Sequence, residues 1–126
     1  MTMHRRMVLA GAVVGLFAVA RQARAASHSV TMNPSTSKFE PATLTIKRND
    51  TVEWENTTGV FHSVTCDPSL SKVPGNVVLP AGVAPFDSGR MKREAVFTHQ
   101  FTEPGTYKYI CKYHENMNMV GTVIVK

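Results

Sequence analysis

Three side chains that bind soft metal ions lie close together near the C-terminal end of the sequence. Cys111, His114 and Met119 offer a thiolate, an imidazole and a thioether within nine residues. This donor set favours copper, and two histidines, one cysteine and a weak axial methionine are typical of a blue copper electron-transfer site. One more histidine is therefore required. His62 is the best candidate, because it lies in a strand-like segment at residues 61–64.

Two other residues could be mistaken for ligands. Met117 could compete for the axial position, but the four-residue gap after His114 favours Met119. His99 lies between two phenylalanines on the same face of a predicted strand. It is therefore predicted to be a packed histidine with a hydrogen-bond partner, and not a metal ligand.

Short stretches of alternating apolar and polar residues predict the strands that must position these ligands. Leu44 and Ile46 alternate with polar neighbours, as do Val52 and Trp54. The turn residues at 49–50 predict that these two runs form a hairpin. Further strands are predicted at 97–101, 107–111 and 120–126, and together they predict an all-β protein, an antiparallel β-sandwich.

The segment between residues 66 and 90 breaks this pattern. It combines prolines, glycines and scattered apolar residues. We expect a long irregular crossover loop there, with room for one helical turn. The sequence shows no internal repeat and no sign of a second domain.

The first twenty-five residues differ in composition from the rest. Residues 7–20 carry no charge, and Ala-Arg-Ala at 23–25 fits the small-x-small rule for signal peptide cleavage. The apolar run is too short to cross a bilayer as a helix, which disfavours a retained membrane anchor. The sequence predicts a signal peptide over residues 1–25 and one domain over residues 26–126.

The arginines of this leader bear on both export and charge. Arg5 and Arg6 before the apolar run favour a twin-arginine signal over an ordinary Sec signal, and so predict a periplasmic protein. Removal of these two residues together with Arg21 and Arg24 leaves ten basic and nine acidic residues, a net charge of +1. The sequence pI of about 9.5 is therefore no indication of nucleic-acid binding.

The two cysteines have a second interpretation. Two cysteines in an exported protein usually suggest a disulfide, here between Cys66 and Cys111. The spacing favours the metal site instead, since a cysteine is seldom followed by histidine three residues later and methionine eight residues later. Cys66 is then predicted to be a lone thiol that packs as a small buried hydrophobic residue.

The ligand pattern, the strand after Met119 and the Gly-Thr-Tyr-Lys-Tyr segment at 105–109 resemble the plastocyanin and pseudoazurin branch of the cupredoxins. The resemblance covers roughly residues 30–126. It implies a Greek-key sandwich that holds one type 1 copper ion at one end and exchanges electrons through the exposed edge of His114. The implied ligands are His62, Cys111, His114 and Met119.

Two positions depart from that family's pattern. Ser63 follows the first ligand where the family often has asparagine, and its hydroxyl group is expected to bond across to the ligand loop. Tyr113 precedes the second histidine where the family often has proline. Its backbone N–H, which proline lacks, predicts a second hydrogen bond to the Cys111 sulfur and a raised reduction potential.

The predicted new amino terminus offers a second set of copper ligands. A free amine at Ala26, two amide nitrogens and the imidazole of His28 could form a weak square-planar Cu(II) site. The alternative is a flexible tail with no function of its own.

These observations predict a soluble, monomeric electron carrier that cycles between Cu(II) and Cu(I) and is not an enzyme. Its expected partners are a redox donor and acceptor, such as a cytochrome or a copper enzyme, with no nucleic acid and no membrane insertion after cleavage. The rival hypothesis is a copper-binding protein for storage, delivery or tolerance. A multicopper oxidase is disfavoured, because the chain has no paired His-x-His motifs. Arg90, Lys92 and Arg93 are either a solvated turn or a docking patch for an acidic redox partner.

Overall fold

The alternating segments form strands that make two β-sheets. The computed structural model describes residues 24–126, and residues 1–23, which carry most of the predicted signal peptide, lie outside that range. Two single 3₁₀ turns, η1 (Pro68–Leu70) and η2 (Glu115–Met117), accompany the strands. The strands are β1 (Ser27–Met32), β2 (Phe39–Glu40), β3 (Thr43–Ile46), β4 (Thr51–Glu55), β5 (Thr65–Cys66), β6 (Phe86–Asp87), β7 (Val96–Gln100), β8 (Gly105–Ile110) and β9 (Val120–Val125).

The strand order confirms the all-β sandwich. One sheet has the order β2-β1-β4-β7 and the other the order β3-β9-β8-β5-β6. The expectation of purely antiparallel pairing is wrong at two places, because β1 runs parallel to β4 and β3 runs parallel to β9. The chain leaves the first sheet after β2 and passes through β3 in the second sheet. It then returns to the first sheet as β4, which runs parallel to β1. The sheets are therefore mixed.

The predicted hairpin of residues 43–55 is wrong for the same reason. Residues between β3 and β4 do turn, with the N–H of Asp50 donating to Lys47 O at 3.0 Å. The turn also bonds outside itself, since Asn49 N donates to Phe101 O at 2.7 Å. It therefore carries the chain from one sheet to the other. The alternation identified both strands correctly, but alternation does not specify a strand's partner.

Aromatic side chains from both sheets meet in the core. Trp54 on β4 is fully buried, and its indole N–H donates to the hydroxyl of Tyr109 on β8 at 3.0 Å. The ring centroids are 5.4 Å apart in an edge-to-face arrangement. Gly121 on β9 lies directly against the Tyr109 ring, where any Cβ would overlap it. The contact between Trp54 and Tyr109 therefore joins the two sheets, and the position of the Tyr109 ring requires a glycine at residue 121.

The connection after Cys66 is irregular, as predicted, and contains the single 3₁₀ turn η1 and the short strand β6. The closing strand is present as β9, and it pairs with β3 and β8. Between residues 24 and 126, the structure contains no helix that has the length and apolar character needed to cross a membrane.

Candidate metal centre

The structure brings three of the four predicted ligands into one cluster. The ligand atoms of His62, Cys111 and His114 all lie within 4.8 Å of one another. The Cys111 Sγ atom is 3.6 Å from His62 Nδ1 and 3.3 Å from His114 Nδ1. Two imidazole nitrogens thus face one sulfur, which is the arrangement that a trigonal metal site needs.

His62 is held by a short backbone pairing instead of a regular strand. Its N–H donates to Met91 O at 3.1 Å, and Met91 N donates back to His62 O at 2.8 Å. The buried side chain of Asn56 reinforces this bridge, since its Nδ2 donates to Met91 O at 2.9 Å and to Val60 O at 2.8 Å. Asn56 was not among the predicted site residues, because the only feature that marks it in the sequence is that it is a polar residue directly after a strand.

Cys111 follows the end of β8, and Ser63 makes hydrogen bonds to its sulfur and to the backbone of the next residue. The N–H of Ser63 donates to the Cys111 sulfur at 3.4 Å. The Ser63 hydroxyl accepts a hydrogen bond from Lys112 N at 2.9 Å, which confirms the predicted bond to the ligand loop. These contacts join the His62 segment to the loop at residues 111–119, so the ligands from distant parts of the chain share one framework.

The prediction for Tyr113 is wrong. Among the described residues, Ser63 is the only backbone N–H donor to the Cys111 sulfur, and Tyr113 N makes no such bond. The chain turns tightly there, because His114 N donates to Cys111 O at 3.1 Å. The basis for a raised reduction potential is therefore absent, and the Tyr113 side chain is exposed.

Met119 and Met117 occupy opposite environments. Met119 is completely buried, whereas half of the Met117 surface is exposed to solvent. The backbone also ties Met119 to the cluster, since Cys111 N donates to Met119 O at 3.0 Å and Met119 N donates to His114 O at 3.3 Å. The burial of Met119 and these two bonds are consistent with the prediction that Met119, and not Met117, is the axial ligand.

The protonation of His62 suits a metal ligand. Burial, followed by the proximity of His114, lowers the pKa of His62 from 6.5 to about 4, so the ring is neutral near pH 7. The buried Nε2 atom has no hydrogen-bond partner among the described residues. Leaving a buried polar atom unpaired costs about 1–3 kcal/mol. A metal ion at Nδ1, the ring nitrogen that lies 3.6 Å from Cys111 Sγ, would leave Nε2 as an unpaired N–H. The fit to a copper ion therefore rests on the two Nδ1 atoms and the thiol that face one another.

Cys66 does not pair with Cys111. Both thiols are free and buried. Cys66 donates to Lys108 O at 3.3 Å, and its burial, helped by the charge of Asp67, raises its pKa to about 12. A thiol with such a high pKa is not a reactive thiolate, which agrees with its predicted packing role.

His99 is a packed residue, as predicted, but the hydrogen-bond partner that was also predicted for its ring is not found among the described residues. Its ring stacks on Phe86 with centroids 3.8 Å apart, and burial lowers its pKa. The structure does not place it with the three clustered ligands.

The amino-terminal segment is a strand and not a flexible tail. Ala26 N donates to Asp50 Oδ1 at 2.8 Å, and His28 Nε2 lies 2.9 Å from Asp50 Oδ2. Residues from Ser27 onward pair with β4. A square-planar Cu(II) site would have to break these contacts to free the amide nitrogens, so the structure disfavours the second copper site at His28.

Known proteins share both the sequence and the fold. Residues 26–126 match the family of copper binding proteins described as plastocyanin/azurin. A chloroplastic plastocyanin from Tetradesmus obliquus is 34% identical over 99% of this chain and 83% of its own length. Amicyanin from Paracoccus denitrificans is 32% identical over 82% of this chain and 70% of its own length. The structure of an amicyanin variant, in its reduced Cu(I) form at pH 4, matches with a TM-score of 0.60 and 30% identity, covering 86% of this chain and 87% of that one.

Proposed function

Because the chain belongs to the plastocyanin/azurin family of copper-binding proteins, we propose that it is a periplasmic electron carrier, with His62, Cys111 and His114 as equatorial ligands and Met119 as the axial ligand of one type 1 copper ion. The observation that carries this proposal is the cluster of two imidazole nitrogens and one thiol within 4.8 Å. Bound copper supplies a one-electron Cu(II)/Cu(I) couple. Such a carrier needs no substrate pocket and no catalytic base.

The rigid framework around the ligands supports electron transfer over simple storage. Ser63 bonds to the Cys111 sulfur and to Lys112, and Cys111 N bonds to Met119 O. Ligands held in this way move little when the oxidation state changes, because these hydrogen bonds and not the metal set their positions. A small rearrangement makes electron exchange fast in both directions.

Exposed apolar side chains support a contact surface next to the ligands. The His114 side chain is only partly buried, while its close neighbours in the chain, Tyr113 and Met117, are 43% and 50% exposed. Phe61, directly before His62, is 48% exposed. Exposed apolar surface of this kind marks interaction sites in soluble proteins. We propose that redox partners bind here and exchange electrons through His114.

Basic side chains that contact this apolar surface indicate the charge of the partners. The guanidinium of Arg90 lies 4.6 Å from the centre of the Phe61 ring. Lys38 Nζ donates to the carbonyl oxygens of Met117 and Asn118 at 3.0 and 3.1 Å. Complementary charges steer encounter and align the partners. We therefore propose an acidic donor and acceptor, and Arg90 belongs to the docking surface and not merely to a solvated turn.

Export to the periplasm is supported by the sequence of residues 1–25, with its paired arginines and its cleavage pattern. Cleavage after Ala25 would turn Ala26 N into a charged amine, and this nitrogen is already 2.8 Å from the Asp50 carboxylate. The mature terminus would thus gain an ion pair. Mass spectrometry of protein purified from a periplasmic extract should give an amino terminus at Ala26.

Voltammetry of the copper-loaded protein tests the carrier function. We expect a fast, reversible one-electron wave and no loss of copper during repeated cycles. A slow or irreversible wave, with copper passing readily to a chelator in the Cu(I) state, would favour storage or delivery instead. Cys66→Ser serves as the control, because this thiol lies outside the cluster and its substitution should leave the wave unchanged.

A further inference from the structure

A buried carboxylate lies next to one of the proposed copper ligands. Glu115 directly follows His114, begins the turn η2, and is only 7% exposed. Acidic side chains are rarely buried to this extent unless other groups compensate for their desolvation. The surroundings of Glu115 therefore need an explanation.

Four neutral donors from one distant segment surround the Glu115 carboxylate. Its Oε2 atom accepts hydrogen bonds from Ser71 Oγ at 2.6 Å, Asn76 Nδ2 at 3.1 Å and Val73 N at 3.2 Å. Its Oε1 atom accepts a bond from Lys72 N at 2.9 Å. All four donors belong to residues 71–76 of the crossover loop, which we call the anchoring segment. Bonds to a charged acceptor are stronger than bonds between neutral groups, so this contact holds the ligand loop to the anchoring segment.

No cation neutralises the carboxylate among the residues that the structure describes. The ion pairs there involve Asp50 and Asp87, and none involves Glu115. Lys72 contributes its backbone N–H and not its ammonium group. Hydrogen bonds distribute the negative charge of Glu115 but do not remove it. A net negative charge therefore remains one residue away from His114.

The bonds around His114 extend the effect of this anchor to the ligand. Met117 N and Met119 N both donate to His114 O, at 2.9 and 3.3 Å. The tight turn that these bonds form contains the proposed ligand His114 and ends at the proposed ligand Met119. Glu115 lies within this turn, so its bonds to the anchoring segment hold the turn in place. Lys38 holds the far end of the same loop through the carbonyl groups of Met117 and Asn118.

We propose that Glu115 is a positioning residue for electron transfer, which fixes the His114 turn to the anchoring segment and lowers the reduction potential through its uncompensated negative charge. A negative charge near the metal stabilises Cu(II) relative to Cu(I). This inference rests on the proposed copper chemistry for its second half, whereas the anchoring half concerns the polypeptide alone.

Three variants separate charge from anchoring. Glu115→Gln removes the charge, and its amide N–H group would face donors. Ser71→Ala removes the 2.6 Å bond but retains the charge. Glu53→Gln is the matched control, because Glu53 is exposed on β4 and makes no side-chain hydrogen bond among the described residues.

The first measurement is the reduction potential of the copper-loaded proteins. Glu115→Gln should raise it, which corresponds to a shift of the Cu(II)/Cu(I) equilibrium toward Cu(I) on the order of tenfold. Ser71→Ala should change it much less, and Glu53→Gln should leave it unchanged. Equal potentials for Glu115→Gln and Glu53→Gln would overturn the electrostatic role.

The second measurement is amide hydrogen exchange at Met117 and Met119 in the copper-free protein. Loss of an anchoring bond should speed exchange there by about threefold to tenfold in Glu115→Gln and in Ser71→Ala, but not in Glu53→Gln. Unchanged exchange in both anchoring variants would overturn the positioning role. If Glu115→Gln does not fold, Ser71→Ala and Asn76→Ala decide the matter by the same measurement. A parent protein that binds no copper would refute the proposed function, while hydrogen exchange in the copper-free protein would still test the anchoring role of Glu115.

Discussion

Two buried polar clusters in this protein differ in how far their polar atoms are paired by hydrogen bonds. In the cluster around Asp50, both carboxylate oxygens are paired, with Ala26 N, His28 Nε2 and Lys47 N as partners at 2.8–3.0 Å. In the cluster around His62, the Nε2 atom has no partner among the described residues, and one sulfur faces two imidazole nitrogens. The first cluster is complete as a polypeptide and stabilises the fold. In the second, the sulfur and the two facing imidazole nitrogens are donors that a metal ion would bring together.

Substitution of Asp50 should have the largest effect on the copper-free protein and no effect on the metal site. Asp50→Ala leaves the N–H groups of Ala26 and Lys47 without an acceptor in a partly buried position, so we expect the Tm to fall by several degrees. Thermal unfolding followed by circular dichroism gives the Tm, and the visible spectrum of the copper-loaded variant is the control. A loss of the copper spectrum with an unchanged Tm would reverse the roles of the two clusters.

The two clusters should also lose stability in different pH ranges. The pKa of His62 is lowered from 6.5 to about 4 by burial and by His114, so the folded protein resists its protonation. The unfolded chain binds that proton first, and the copper-free protein should lose stability as the pH falls from about 6.5 to about 4. Hydrogen bonds from Ala26 N, His28 and Lys47 N lower the pKa of Asp50 from 3.8 to about 2. Its contribution is present above pH 3.8 and is lost as the pH falls toward 2.

Urea unfolding of the copper-free protein between pH 7 and pH 2 checks both ranges. His62→Gln should flatten the upper part of the stability curve, and Asp50→Asn should flatten the lower part. If either variant alters only the range assigned to the other residue, the assignment of these groups is wrong.

The smallest predicted effect concerns the charge on the surface beside His62. Arg90→Ala removes a cation 4.6 Å from the Phe61 ring, and it should slow oxidation of the Cu(I) protein by anionic hexacyanoferrate(III) by about twofold at low ionic strength. Oxidation by a cationic cobalt complex should become faster instead. Arg48→Ala is the charge-matched control, because Arg48 is exposed in the turn next to the Asp50 cluster. Equal rates for the two variants with both oxidants would show that Arg90 has no special place on the contact surface.

The sequence was most informative where residue type and chemistry coincide. The spacing of Cys111, His114 and Met119 predicted a ligand loop, and the structure brings two of these residues next to His62 and buries the third beside them. Alternation located β3 and β4 but not their partners, because pairing depends on where the chain crosses between sheets.

Hydrogen bonds within the ligand loop were harder to predict. The Ser63 hydroxyl bond was correct, since the side chain had one obvious partner across the loop. The Tyr113 bond was wrong, because the direction of a backbone N–H is set by the local turn and not by the residue type. No feature of the sequence indicated the role of Glu115, because its four partners come from an irregular segment about forty residues earlier.

The most direct test is the visible spectrum of the mature protein after one equivalent of Cu(II) is added. We expect an intense blue thiolate-to-copper absorption band in the parent and in Cys66→Ser, and no such band in Cys111→Ser. If the parent stays colourless, or if Cys111→Ser retains the band, then Cys111 does not bind copper and the proposed metal centre is wrong.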